Sequence, residues 1–266
     1  MMVSYQASVG LGDDNAVAGG HLGVVVPFRD RNAHLAEFLP VLQRYLREHR
    51  SKAPARTSLL VVEQEPGREF NIAKLKNIGY VLLRDRIDAV CFHDVDYCPV
   101  RVDYRCPKRG GVHLVGRGAE TVVDPRGFAV SHDMAAFMGG VVAFAKEGFE
   151  RVNGYSNDYW GWGYEDTDLA ARCEITGVPL TRRNGRFRLL PHPNKGYDLA
   201  AGQVAPTASH LRNKALFEQR FAAREATDPA SLAADGLSTL DFAVLTRATL
   251  AEAAPGFQAE KVTVSI

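Results

Sequence analysis

The chain has little cysteine, almost no net charge and no long apolar run, and each shortage excludes a class of protein. Four cysteines in 266 residues are too few for a disulfide scaffold, and no pair has the CxxC spacing of a zinc knuckle. We expect reduced thiols, with a single Cys91–Cys106 or Cys98–Cys106 bridge left open. Lys and Arg number 32 against 31 Asp and Glu, which argues against a nucleic-acid partner. No apolar run approaches the roughly 20 residues that span a bilayer.

The first half of the chain alternates two patterns, typical of strands and helices. Short apolar runs predict buried strands at residues 21–28, 58–64 and 88–93. Helical spacing predicts helices at residues 33–39, 40–49 and 71–83, with Asn32 as a cap and Pro40 between the first two. This β-α-β-α-β order predicts an α/β fold with a mainly parallel sheet flanked by helices. We expect a flexible tail at residues 1–20 and one domain at residues 21–266.

Two carboxylates directly follow the third predicted strand. Asp94 and Asp96 are separated by one residue, at the carboxyl end of a strand, where such sheets bind ligands. One of them could hold Mg²⁺ or Mn²⁺, and the other a ribose or a water molecule. A lone Asp-x-Asp is common on loops, so it is the position after the third strand that favours metal binding.

The most unusual stretch is residues 157–168, NDYWGWGYEDTD. It joins both tryptophans of the chain to a group of acidic residues. The acids alone fit the N-terminus of a helix, where negative charge is favourable. That explanation leaves out the tryptophans, which stand in a glycine-rich loop. Aromatic rings beside carboxylates are typical of carbohydrate sites, so we favour a sugar-binding site.

Together these motifs resemble the β-1,4-galactosyltransferase family. The resemblance runs from about Leu22 to Ile266. It rests on VVVPFRDR (24–31), FNIAKLKNIGY (70–80), DVD (94–96), FMGGVVAFAKEGFERVNGYSNDYWGWGYEDTD (137–168), FRLLPH (187–192) and ADGLSTLDFAVL (234–245). The resemblance implies a GT-A glycosyltransferase fold, a UDP-sugar donor, a carbohydrate acceptor, Mn²⁺ as cofactor and inversion at the sugar carbon.

On the donor side, the resemblance implies which residues hold the nucleotide and the metal ion. The uridine-binding motif matches Pro27, Phe28, Arg29 and Arg31. Asp96 and His192 match the metal ligands, and Asp94 matches the neighbour on the ribose side. Taken alone, the arginines fit solvated surface charge, and His192 fits a surface or capping residue.

On the acceptor side, the resemblance makes Asp166 the catalytic base and Glu165 its neighbour in the substrate pocket. Trp162 matches a mobile tryptophan, which we expect to close over the donor together with residues 191–205. The other residues assigned to the substrate pocket are Phe137, Gly140, Tyr164 and Thr167. Three of these depart from the family: Tyr164 replaces Gly or Arg, Thr167 an Asp that helps hold the acceptor sugar, and Phe137 a Tyr that helps separate galactose from N-acetylgalactosamine.

We therefore expect an inverting, metal-dependent enzyme that transfers galactose from UDP-galactose to a sugar hydroxyl. The alternatives are transfer of N-acetylgalactosamine or another hexose from its UDP derivative, a non-catalytic module that binds nucleotide sugars, and a nucleotide-sugar hydrolase. Animal relatives carry a membrane anchor. This sequence shows none, so we expect a soluble, cytoplasmic protein of carbohydrate metabolism with no membrane span.

Overall fold

The computed structural model of the chain describes residues 15–17, 19–116, 122–123, 138–191, 197–198, 205–222, 228–254 and 256–266. The predicted tail lies largely outside these ranges, although the N–H of Val17 donates to the carbonyl of Cys106 at 2.8 Å. Most of the segment expected to close over the donor, residues 191–205, also lies outside them. None of the described helices is long and apolar enough to cross a membrane.

The described elements follow one another in a mixed order of strands and helices. The strands are β1 His21–Phe28, β2 Arg56–Gln64, β3 Ala89–His93, β4 Tyr97–Arg101, β5 Gly111–Val115, β6 Val122–Val123, β7 Val141–Ala145, β8 Leu180–Leu189, β9 Tyr197–Asp198, β10 Ala205–Pro206, β11 Ala243–Ala254 and β12 Phe257–Ser265. The helices are α1 Asn32–Glu48, α2 Ile72–Leu83, α3 Lys146–Arg151, α4 Glu165–Thr176 and α5 Ala208–Arg220.

One large sheet organises the molecule, with the strand order β11-β12-β2-β1-β3-β7-β5-β8-β4. Strands β12, β2, β1 and β3 are parallel neighbours, as predicted for the first three strands of the chain. Strand β7 runs antiparallel to both β3 and β5, so the sheet as a whole is mixed. The predicted α/β fold is confirmed.

Both faces of the sheet are covered, which explains why β1 is an unbroken apolar run. Successive residues of a strand point to opposite faces. Val24 therefore belongs to the core that includes Leu42 of α1, whereas Val25 belongs to the core that includes Ile78 of α2. A strand buried on both sides needs apolar residues at every position.

Helix α1 is continuous, whereas the sequence predicted two helices divided at Pro40. Proline has no N–H, so the carbonyl four residues earlier, that of Ala36, loses its usual partner. Ala36 is exposed, and water can bond this carbonyl. Leu35 and Leu42 are buried on either side of the proline. The apolar stripe therefore continues past Pro40, and its packing stabilises a single helix.

The starts of α1 and α2 each differ by one residue from the expected ones. Asn32 is the first helical residue rather than the cap, and Arg31 takes the N-cap position without a side-chain hydrogen bond. Asn71 caps α2, because its side chain accepts from the N–H of Lys74 at 2.8 Å.

The four cysteines are buried and free, so neither of the bridges considered above is formed.

Candidate active site

The candidate site lies at the carboxyl end of the parallel strands. Asp94 directly follows β3, and its N–H donates to the carbonyl of Gly140 at 2.9 Å. Val25 of β1 pairs with Phe92 of β3 in the parallel register. The segments that follow these two strands therefore emerge at the same edge of the sheet, where ligands bind in folds of this kind.

Gly140 shapes this edge through its backbone. Its φ of +79° lies in the left-handed region that favours glycine. A Cβ atom at this position would lie 2.7 Å from Cζ of the buried Tyr97 ring. Only glycine can approach the ring this closely while its carbonyl accepts from Asp94. The structure thus gives Gly140, assigned above to the substrate pocket, a backbone role beside the Asp94 carboxylate.

Helix α4 brings a second pair of acids, Glu165 and Asp166, in its first turn. The helix begins at Glu165, as its acidic start predicted, because a helix N-terminus favours negative charge. Tyr164, immediately before the helix, has a φ of +73°. A positive φ is rare for a bulky residue and is often found at functional sites.

Lys76 of α2 joins the acids of β3 and α4 into one cluster. Its buried ammonium donates to Oδ1 of Asp166 at 3.3 Å and lies 4.7 Å from the centre of the Tyr155 ring. Burial alone lowers the pKa of a lysine. The surrounding negative charges, that of Asp166 first, outweigh this effect and raise the pKa of Lys76 well above its usual range. Asp94 and Glu165 are among those charges.

Two carboxyl groups of the cluster are weakened as acids. Burial, opposed by Lys76 and reinforced by the charge of Asp96, raises the pKa of Asp94 to about 8. Burial and the charge of Asp166 raise the pKa of Glu165 to about 7. Oδ1 of Asp94 is buried and has no hydrogen-bond partner among the described residues. Strongly shifted acids in one cluster are typical of functional sites.

The donor set fits a divalent cation held through oxygen atoms. Within the described ranges, no three His, Cys, Asp or Glu side chains already form a metal-binding group, and His192, like Phe137, lies outside those ranges. Leu190, two residues before His192, donates its N–H to the carbonyl of the buried Asp96 at 2.8 Å. The surplus of carboxylates over ammonium, and the unpartnered oxygen of Asp94, suit a hard cation.

The PFRDR motif at residues 27–31, which spans the end of β1 and the residues after it, contacts the loop that follows β2. Arg29 donates to the carbonyl of Arg68 at 2.7 Å, and its guanidinium carbon lies 5.1 Å from the centre of the Phe70 ring. This cation–π contact and the hydrogen bond together fix the position of the Arg29 guanidinium next to the end of β1. Of the motif's other residues, Pro27 and Phe28 are buried and Arg31 is half-buried.

Trp162 is the most accessible aromatic residue of the predicted sugar site. It is 39% exposed and stacks on His210 of α5, with ring centres 5.1 Å apart. The ring of Tyr164 also lies against His210, at 5.2 Å. Thr167 is half-buried in the first turn of α4. Trp162 is thus exposed enough to contact a ligand, whereas the Tyr164 ring packs on α5.

Helix α5 contacts the loop with Trp160 and Trp162 (the tryptophan loop) through a buried amide. Nδ2 of Asn213 lies within hydrogen-bond distance of the carbonyls of Trp160, Trp162 and Gly163, at 3.1, 3.2 and 3.0 Å. Asn213 is 1% exposed. Arg212 of the same helix also donates to the carbonyl of Trp160, at 2.9 Å. An amide shared among three carbonyls favours one conformation of the loop, because its loss would remove a donor from each of them.

Sequence reasoning missed Lys76 and Asn213, and it grouped Asp168 with the other acids of the motif. The structure separates Asp168 from them: its buried carboxylate accepts from the hydroxyl of Tyr159 and pairs with Arg172. Lys76 left a signal in the sequence, because it is a lysine within a largely apolar helix, IAKLKNIGYVLL. Asn213 left none, because asparagine is common on exposed helices.

Two family models match the chain. One, described as the N-terminal region of glycosyl transferase group 7, matches residues 12–107. The other, described as the N-terminal domain of galactosyltransferase, matches residues 124–193. The first range includes the PFRDR motif, Lys76 and the Asp94–Asp96 pair, and the second includes the tryptophan loop and the start of α4.

Curated relatives of the chain are named as β-1,4-galactosyltransferases. β-1,4-Galactosyltransferase 2 of Cricetulus griseus is 36% identical over 179 residues, which is 64% of this chain and 45% of the relative. β-1,4-Galactosyltransferase 4 of Homo sapiens is 33% identical over 191 residues, 69% of this chain and 52% of the relative. The chain thus spans about half the length of the curated relatives it matches.

Solved structures share the fold. The catalytic domain of Drosophila β-1,4-galactosyltransferase 7, in complex with xylobiose, has a TM-score of 0.68 at 23% identity, covering 92% of this chain and 94% of that chain. A mutant of that enzyme, in complex with manganese, UDP-Gal and xylobiose, has a TM-score of 0.66 at 21% identity. The GT-A fold is confirmed by these matches. With both family models and the curated relatives in agreement, the chain belongs to the β-1,4-galactosyltransferase family.

Proposed function

We propose that the chain is an inverting, metal-dependent glycosyltransferase that transfers galactose from UDP-galactose to a hydroxyl group of a sugar acceptor. The observation that carries this proposal is the buried cluster of acids around Lys76, which lies at the ligand-binding edge of the sheet beside an exposed tryptophan. The names of the similar Drosophila structures, with manganese, UDP-Gal and xylobiose, support the same ligand classes.

The donor would occupy the edge formed by the ends of β1 and β3. Uridine would contact the PFRDR motif, where Arg29 already donates to a backbone carbonyl, and Asp94 would face the ribose. Asp96 and His192 would hold Mn²⁺, which, when bound, supplies positive charge to the diphosphate leaving group.

The transfer would be a single displacement with Asp166 as general base. Asp166 accepts the proton of an acceptor hydroxyl as the oxygen of that hydroxyl attacks the anomeric carbon on the face opposite UDP. The new C–O bond forms while the bond to the diphosphate breaks, so the configuration at this carbon inverts. General-base assistance of this kind contributes about 10²–10⁴ in rate.

The residues around Asp166 would bind the sugars and exclude water. Glu165, whose pKa of about 7 leaves it partly protonated near neutrality, can donate to a sugar hydroxyl as well as accept from one. Trp162 would cover the sugar rings, which limits attack by water on the donor. Gly140, Tyr164, Thr167 and Phe137 would complete the substrate pocket.

A matrix of UDP release tests the proposed function. UDP-galactose, UDP-N-acetylgalactosamine and UDP-glucose are each combined with xylose and N-acetylglucosamine acceptors, with Mn²⁺ or with EDTA. We expect UDP release that requires UDP-galactose, an acceptor and Mn²⁺. Equal release without acceptor would instead identify a hydrolase, a preference for another donor would change the sugar, and no release would favour a binding module.

The variant Asp166→Asn separates the base from the binding residues. It should retain UDP affinity within about threefold and lose about 10²–10⁴ of the transfer rate, because it keeps the shape of the carboxylate but cannot accept the proton. Transfer at the unmodified rate would remove Asp166 from its proposed role.

A further inference from the structure

Lys76 is a buried charge for which the proposed reaction has so far no use. Its side chain is 3% exposed, and its ammonium contacts Asp166 and the face of the Tyr155 ring. Removing a charge from water carries a large free-energy cost in real proteins. Such a residue persists only where its partners compensate for this cost.

Lys76 and Asp166 differ in how far their side chains are exposed, and this difference matters for the chemistry of Asp166. Lys76 lies on α2 and is 3% exposed, whereas the Asp166 side chain, on the first turn of α4, is 16% exposed. The ammonium therefore approaches Asp166 from the protein interior, through Oδ1 at 3.3 Å. This arrangement leaves part of the Asp166 side chain accessible to a ligand.

Lys76 also distinguishes between two adjacent acids. Glu165 and Asp166 are neighbours in the chain, yet the hydrogen bond from Lys76 goes to Asp166. Glu165 is buried beside the Asp166 charge, and its pKa is raised to about 7. When the environments of two neighbouring acids differ, the one with the cationic partner is the better candidate for the base, and the weaker acid can serve as a donor.

We infer that Lys76 is a positioning residue for the proposed transfer, whose ammonium holds Oδ1 of Asp166 from the buried side so that Oδ2 faces the acceptor hydroxyl. This inference rests on the proposed function. It adds a residue of α2 to a site otherwise built from strand ends and α4. A base displaced by about 1 Å can lose about 10²-fold in rate, so the ammonium acts on the rate rather than on donor binding.

The test compares Lys76→Met, which removes the ammonium, with Lys76→Gln, which keeps an N–H donor without the charge. Lys74→Met is the matched control, since Lys74 lies on the same helix and is only partly buried. Steady-state kcat, the KM for UDP-galactose, the affinity for UDP with Mn²⁺ and the Tm are measured for each protein.

We expect Lys76→Met to lower kcat by about 30- to 100-fold while KM and UDP affinity stay within threefold, and Lys76→Gln to lose less. Lys74→Met should match the unmodified protein. Adding Lys76→Met to Asp166→Asn should lower the residual rate little further, because both changes act through one carboxylate. If Lys76→Met does not fold, a lower kcat at unchanged KM in Lys76→Gln still supports the inference.

Two results would overturn it. A folded Lys76→Met protein, or in its absence Lys76→Gln, with kcat within twofold of the unmodified protein would show that Asp166 needs no such support. A rise in KM and a loss of UDP affinity at unchanged kcat would show a role in donor binding. Failure of the unmodified protein to turn over any donor would instead overturn the proposed function, and this inference with it.

Discussion

At the scale of single residues, Gly140 combines two constraints whose costs can be measured separately. Its φ of +79° is strained for any other residue, and a Cβ atom would press on the Tyr97 ring at 2.7 Å. Gly177 has a similar φ of +67°, but a Cβ atom added there would meet nothing within 4 Å. We expect Gly140→Ala to cost about 2–4 kcal/mol of unfolding free energy and Gly177→Ala only about 1 kcal/mol.

Urea denaturation of the two glycine variants and the unmodified protein measures both costs. Equal destabilisation by Gly140→Ala and Gly177→Ala would mean that the Tyr97 ring moves aside at no cost. The close approach at the Asp94 edge would then not require glycine.

His93 makes stability depend on pH in a direction that the structure determines. The imidazole is buried, its Nδ1 donates to the carbonyl of Asp94, and its Nε2 accepts from the hydroxyl of Tyr104 at 2.8 Å. Burial lowers the pKa of His93 to about 4, below its unfolded value of 6.5. The unfolded chain therefore binds the proton first on acidification. The stabilisation from the neutral ring is complete above pH about 6.5 and is lost as the pH falls towards 4.

The variant His93→Gln isolates this effect from the acids of the site, whose raised pKa values act in the opposite direction. We expect the difference in unfolding free energy between the two proteins to be constant above pH about 6.5 and to change by up to ~3 kcal/mol towards pH 4. Urea midpoints at pH 7.5, 6 and 5 measure it. A difference that stays flat over this range would contradict the assignment.

At the scale of elements, the contact between α5 and the tryptophan loop has its own spectroscopic reporter. Both tryptophans of the chain, Trp160 and Trp162, lie in this loop, so tryptophan fluorescence reports on it alone. We expect Asn213→Ala to lower the unfolding free energy by about 1–3 kcal/mol, because the carbonyls of Trp162 and Gly163 lose the amide donor. It should also increase acrylamide quenching of the tryptophans.

Lys214→Ala is the control for the loop, since Lys214 lies on the same helix with an exposed side chain. It should leave both quenching and stability unchanged. Unaltered quenching in Asn213→Ala would indicate that other contacts hold the loop.

Elements whose signals are local could be predicted from the sequence, and those set by tertiary packing could not. The run of valines at 24–26 and the acidic start at Glu165 predicted β1 and α4 with their observed starting residues. The continuation of α1 through Pro40 depends on a stripe of packing that propensity does not record. The contact between Lys76 and Asp166 joins positions 90 residues apart, and no periodicity reveals such a pairing.

At the scale of the whole molecule, ligand binding should raise the stability of the folded protein. If the acids around Asp96 hold a cation, Mn²⁺ with UDP at about 100 times Kd should add about 2.7 kcal/mol and raise Tm by roughly 5–10 °C. The variant Asp96→Asn should abolish this shift, and EDTA should reverse it. Asp85→Asn, on an exposed side chain, is the control, and an equal shift in Asp96→Asn would contradict the metal assignment.

The place of β12 inside the sheet has a consequence for biosynthesis. Its partner β2 is synthesised early, whereas β12 comes near the end of the chain. Thr263 of β12, which donates to Glu63 of β2, lies 200 positions after it. At translation rates of about 5–20 residues per second, one side of β2 stays unpaired for roughly 10–40 seconds. During that interval the nascent chain presents an open, strongly apolar strand, and it is then that a ribosome-associated chaperone would have the most to protect.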